Sequence, residues 1–129
     1  MLPTKSYKDL IVWQKGIELV LAVYRYTETL PREEIYGLTS QMRRDSVSIP
    51  SNIAEGYARG HQKEFIQFLL ISQASAAELD TQLIICERLR IGNNILRPKA
   101  ESLLNEIQRI LPAFIRGLKT RRWTLTARR

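Results

Sequence analysis

The sequence predicts an all-α fold, an antiparallel up-down four-helix bundle. Two observations carry this. Apolar residues recur at spacings of three and four through four long stretches, with no alternating strand pattern between them. Three breaks, at Leu30-Pro31, around Gly60 and at Gly92-Asn93-Asn94, divide the chain into four pieces with short connections. Helices joined this way pack antiparallel, about 20° from parallel. The 129 residues fit one domain, read as a bundle over 1–120 and a basic tail over 121–129.

The first helix is expected from Tyr7 to Glu28, with Ser6 and Asp9 resembling a capping box. Leu10, Trp13, Ile17, Val20, Tyr24 and Thr27 form a heptad seam, and Leu19, Val23, Tyr26 and Leu30 form a second stripe beside it. Two stripes imply contact with more than one neighbour. Leu30-Pro31 ends the helix, because the residue before proline avoids the α region.

The second helix starts near Leu38 and stops by Gly60, with Leu38, Met42, Ile49, Ile53 and Tyr57 on one face. At Pro50 either one helix is kinked or a new helix begins. The apolar phase continues across the proline, which favours the kinked helix. The third helix runs from Gln62 to Arg90 on a seam of Phe65, Leu69, Ser72, Ala76, Leu79, Leu83 and Cys86. Its segment from Phe65 to Ile71 is apolar almost all round, more than a small bundle buries. Phe65, Ile66, Phe68, Leu70 and Ile71 are therefore candidate oligomer-interface residues.

The fourth helix starts near Arg97, with Pro98 in its first turn and a bend expected at Pro112. Leu96, Ala100, Leu103, Ile107, Ile110, Phe114 and Leu118 form its seam, widened by Leu104, Leu111 and Ile115.

Composition excludes several classes. One cysteine makes no internal disulfide, and Cys86 lies on an apolar seam as a core residue. One histidine, His61, supports neither a zinc site nor a triad and reads as a turn residue. There is no phosphate-binding glycine loop and no His-Glu-x-x-His helix. The expectation is a non-enzymatic chain with no cofactor and no metal. No apolar run of the length a membrane span needs is present, so a cytoplasmic location is expected. Glu55, Glu64 and Glu78 are expected to pair with arginines between helices or subunits.

The charge is the better lead to function. The formal net charge is +7, from 20 Lys and Arg against 13 Asp and Glu, which favours polyanionic partners. Arg43 and Arg44 are adjacent on the second helix, and Arg59 and Lys63 flank the following turn. Arg116, Lys119, Arg121 and Arg122 follow near the C-terminus, where no acidic residue occurs. These eight are the candidate nucleic-acid contacts. Trp123 either stacks on an unpaired base or anchors the tail on the bundle.

The string Ser48-Ile49-Pro50-Ser51-Asn52-Ile53-Ala54-Glu55-Gly56 carries a resemblance. With Asp9-Leu10-Ile11-Val12-Trp13-Gln14-Lys15, Tyr36-Gly37-Leu38-Thr39-Ser40-Gln41-Met42-Arg43-Arg44 and Glu64-Phe65-Ile66-Gln67-Phe68-Leu69, the chain resembles the bacterial 23S rRNA-intervening-sequence proteins. The resemblance implies a ring-like homopentamer of four-helix bundles. It also implies kinship with the accessory protein of diversity-generating retroelements, a basic pentamer that binds nucleic acid and a reverse transcriptase. The partners expected are a second copy of the chain, nucleic acid (RNA ahead of DNA), and as an alternative an adaptor role toward a reverse transcriptase or other protein. One departure is that the family's Ala-Arg-Gly-Ser in the third helix is Ser72-Gln73-Ala74-Ser75 here, where the methyl of Ala74 is expected to alter close helix packing.

Overall fold

A computed structural model describes residues 5–121, all of whose regular structure is helical. Four helices, α1 (Ile11–Thr27), α2 (Leu38–Ala58), α3 (Gln62–Leu89) and α4 (Leu96–Arg121), each pack on the next, and α1 closes against α4. The result is a four-helix bundle with antiparallel neighbours. Short 3-10 turns at Tyr7–Asp9 and Arg32–Glu34 precede α1 and α2. Residues 122–129, including most of the expected tail, lie outside the described residues.

The first helix begins later than the pattern predicts. Ser6 Oγ accepts the Lys8 N–H at 2.9 Å, and the Asp9 carboxylate accepts from the Lys5 N–H at 3.1 Å. This closes a 3-10 turn in place of the expected capping box. Leu10 is then extended (φ −76°, ψ 127°), which tucks its side chain into the core.

The two stripes of α1 are buried unequally, the first only in part, with Leu10 and Thr27 buried and Trp13 packed against the core. Leu19, Val23, Tyr26 and Leu30 are buried, whereas Ile17 and Tyr24 of the expected seam are exposed. Gly16 marks where α1 meets α2. A Cβ there would stand 3.1 Å from Pro50 Cβ, so the glycine is a notch that receives the proline ring of α2. α2 runs unbroken through Pro50, and no new helix starts there.

α3 buries its expected seam from Phe65 to Cys86. Small residues bring it close to α2. Ser72 Oγ donates to the Ile49 carbonyl at 2.9 Å, and the Ser48 and Ser75 hydroxyls share a 2.9 Å hydrogen bond. Ala74 is exposed, so its methyl does not disturb this packing. Gly56 faces Phe65 and Phe68 where α2 meets α3.

The α3–α4 turn opens with Arg90 in the left-handed conformation (φ 59°), followed by Gly92 at φ 82°. The buried Tyr26 donates its hydroxyl to the Ile91 carbonyl at 2.9 Å, pinning this turn to the end of α1. Asn93 Oδ1 accepts from the N–H groups of Ile95 and Leu96 and so caps α4. α4 buries Ala100, Leu103, Leu104, Ile107, Leu111, Ile115 and Leu118, leaving Ile110 and Phe114 at the edge of the core.

Candidate nucleic-acid interface

Antiparallel packing brings the start of α1, the α2–α3 turn and the end of α4 to one end of the bundle. Two sets of contacts hold this end together. Tyr7, Tyr57, Phe65 and Phe114 meet edge to face in a chain with centroid separations of 6.5, 5.9 and 5.7 Å, and Trp13 meets Tyr7 edge to face at 5.5 Å. Each such pair contributes about 0.5–1.5 kcal/mol beyond its area burial. The Gln62 side-chain amide donates to the Leu118 carbonyl, which fixes the start of α3 against the last turn of α4.

The net charge is concentrated here. Lys5, Lys8, Arg59, Lys63, Arg116, Lys119 and Arg121 lie at this end, with only Asp9, Glu55 and Glu64 opposing them. Arg59 takes up both glutamates, at 3.1 Å from Glu55 and 3.6 Å from Glu64, and its guanidinium lies 5.1 Å from the Phe68 ring centroid. Lys5, Lys8, Lys63, Arg116 and Lys119 are exposed and make no ion pair among the described residues. Cations in the last turn of α4 also meet the negative end of its dipole. At the waist, Lys15 pairs with Glu106 at 3.2 Å. At the far end the positive and negative residues are equal in number. The excess charge of residues 5–121 therefore belongs to one end.

The structure divides the sequence-predicted cations. Arg59, Lys63, Arg116 and Lys119 converge, with the backbone of Arg121 beside them, while Arg122 lies outside the described residues. Arg43 and Arg44 sit toward the opposite end of α2. Arg43 is committed to packing, with its Nε donating to Thr27 Oγ1 at 2.8 Å and its guanidinium 4.5 Å over the Tyr24 ring. Lys5 and Lys8 join the set without any sequence signal. No motif marks them, and only the fold carries them to the basic end. A cleft of about 550 Å³ opens nearby between α1 and α4, lined by Leu10, Ile11, Val12, Ile110, Ala113 and Phe114 with Arg109 at its rim. Apolar walls beside a cation suit an unpaired base next to its phosphate.

The interface candidates divide as well. Phe65 is fully buried, because it lies on the α3 seam between Tyr57 and Phe114 and cannot face a partner. Ile66 and Phe68 are half-buried, and Leu70 and Ile71 are each 47% exposed. Ile84, Ile85 and Leu89 extend the exposed apolar surface of α3 beyond the expected segment. Cys86 is buried against Met42 Sδ at 3.8 Å, and burial pushes its thiol above the ordinary range. Among the described residues no three His, Cys, Asp or Glu side chains gather as a metal site, and no helix is long and apolar enough to cross a membrane.

Comparison with known proteins places this geometry in a family. No curated protein matches the chain. A crystal structure of a protein of unknown function from the S23 ribosomal protein family, from Bacteroides thetaiotaomicron, superposes with a TM-score of 0.72 at 21% identity. The match covers 82% of this chain and 96% of that one, and it shows a shared fold. The family described as 23S rRNA-intervening sequence protein matches residues 8–113. The chain belongs to the 23S rRNA-intervening sequence protein family.

Proposed function

We propose that this chain is a non-enzymatic, cytoplasmic nucleic-acid-binding protein that grips RNA phosphates through the basic end of its bundle. The observation that carries this is the polarised charge, with Lys5, Lys8, Lys63, Arg116 and Lys119 exposed and outside any ion pair of the described residues at one end, and a balanced surface at the other. Lysine and arginine bind phosphate through charge without strict spacing, so a local excess suffices. Membership of the 23S rRNA-intervening sequence protein family, with a fold shared by a member of the S23 ribosomal protein family, supports RNA as the polyanion.

The same proposal includes a bend in α2 at Pro50 and assembly into a ring-like homopentamer. Exposed apolar residues on α1 (Ile17, Leu21, Tyr24) and α3 (Leu70, Ile71, Ile84, Ile85) support assembly. α1 and α3 are diagonal in the bundle, so these are two different faces, as a head-to-tail contact uses. Five copies at +7 each would carry about +35, a strong steering field for a polyanion.

Binding of a labelled structured RNA, and of duplex DNA, from roughly 50 to 300 mM salt tests the reading. A steep log–log slope with affinity persisting near physiological salt is expected. Replacing Arg121 and Arg122 by Ala should weaken binding and flatten the slope. Absence of binding at low salt would overturn the reading. The exposed apolar face of α3 favours a second one, an adaptor that docks on another protein such as a reverse transcriptase. Pull-down with and without nuclease separates the two, because RNA-bridged partners disappear on digestion.

A further inference from the structure

Glu78 has no arginine partner within its own chain among the described residues. It faces Asp45 across the α2–α3 contact, in an open cleft of about 460 Å³ that Gln82 also lines. Gln82 is only 9% exposed, and its Oε1 has no hydrogen-bond partner. Turning the amide over does not relieve this. Its Nε2 donates to Asp45 Oδ2 at 2.9 Å and lies 3.4 Å from Gln41 Oε1, and both of those atoms are acceptors. Two carboxyl groups thus share the cleft with Arg44, which makes an ion pair with neither, and Gln82 beside them leaves one buried carbonyl oxygen without an N–H donor. The Glu78 carboxyl is held above its usual range by its hydrogen bond to Asp45 and by that group's charge. A cation between the two carboxyls would remove the conflict.

We infer that Asp45, Glu78 and Gln82 Oε1 form a receptor for a guanidinium group, and that the occupant is Arg25 of a second copy of this chain. The inference rests on the self-assembly in the proposed function and names a residue pair that would hold it. Guanidinium fits because it offers several N–H donors in one plane, enough for two carboxyls and an amide oxygen together. Arg25 fits because it is exposed on α1, makes no ion pair among the described residues, and stands on the apolar outer face with Ile17 and Leu21. The receptor has matching apolar flanks, with Ile71 and Ile85 one heptad either side of Glu78. At 1.5 Å per residue, Ile71 lies about 10 Å from Glu78 and Ile17 about 12 Å from Arg25, so apolar and charged contacts can form in one register. The two faces lie on diagonal helices, which makes the contact heterologous.

The test is charge exchange read by sedimentation equilibrium on the full chain, with circular dichroism confirming the fold. Glu78→Lys and Arg25→Glu each replace an exposed residue. Each alone should weaken assembly roughly thirtyfold or more, and the double variant should regain most of that affinity. Assembly of both single variants at wild-type affinity would overturn the inference. So would a monomeric wild type, rescue of Glu78→Lys by Arg44→Glu in place of Arg25→Glu, or assembly that requires added Mg2+ and survives Arg25→Glu. RNA binding by a monomeric wild type would leave the nucleic-acid reading standing while this inference fails. A charge-exchanged assembly that binds no RNA would do the reverse.

Discussion

Replacing Tyr26 by Phe isolates one hydrogen bond with little change in shape. The Tyr26 ring is fully buried, and its hydroxyl donates to the Ile91 carbonyl at 2.9 Å. The variant keeps the ring and removes the donor, which leaves the carbonyl of the α3–α4 turn unsatisfied. The cost is roughly 1–2 kcal/mol, or a fall in Tm of roughly 3–8 °C for a domain of this size. The pH dependence gives a second signature. Burial raises the Tyr26 pKa from an ordinary 10.0 to about 12. Because the folded value lies above the unfolded one, the stability linked to the neutral phenol is fully present below pH 10 and is lost as pH rises toward 12. The buried Cys86 thiol adds an alkaline decline in both proteins, so the comparison between them is the relevant quantity. Urea melts followed by circular dichroism at neutral pH and across the alkaline range provide it. The advantage of the wild type should shrink above pH 10. Equal midpoints at neutral pH, or the same alkaline decline in both proteins, would refute the reasoning.

Two further substitutions probe separate parts of the bundle. Gly56→Ala would place a Cβ 2.6 Å from Phe68 Cβ and 3.0 Å from Phe65 Cδ1, forcing α2 and α3 apart. A destabilisation of roughly 1–3 kcal/mol in thermal melts is expected, and an unchanged melt would show that the two helices have room to spare. Arg43→Ala removes the hydrogen bond to Thr27 and the stacking on Tyr24. It should cost about 1–2 kcal/mol of stability and leave RNA affinity unchanged, whereas weakened affinity with full stability would return Arg43 to the binding surface.

Much of the bundle is legible in the sequence because burial repeats with the helix period. The α3 seam from Phe65 to Cys86 alternates strictly by four and three, and every one of those side chains is buried. Which apolar residues of α1 face outward is not legible, since both of its stripes are apolar and Gly16, where the helix meets α2, carries no hydrophobic signal. Gly16 matters through the Pro50 ring that it admits, a contact between helices that no local pattern encodes. At the end of α3 the glycine signal points to Gly92, while the first left-handed residue is Arg90, an arginine that no propensity rule selects. The candidate site is half visible. The basic residues can be enumerated, but which of them share an end depends on antiparallel packing, which separates Arg43 and Arg44 from the others and brings in Lys5 and Lys8. The Asp45–Glu78–Gln82 cleft has no sequence signature because its members come from different helices.

The most direct test of RNA binding through the basic end compares two variants across salt. One removes Lys63, Arg116 and Lys119 from the basic end, and the other removes Arg88 and Arg90 from the balanced end, all as alanine. A shallower log–log slope is predicted for the first, by roughly 0.7–0.9 for each phosphate that is no longer neutralised, and a slope equal to wild type for the second. Equal weakening by both variants, or no weakening by the first, would contradict it.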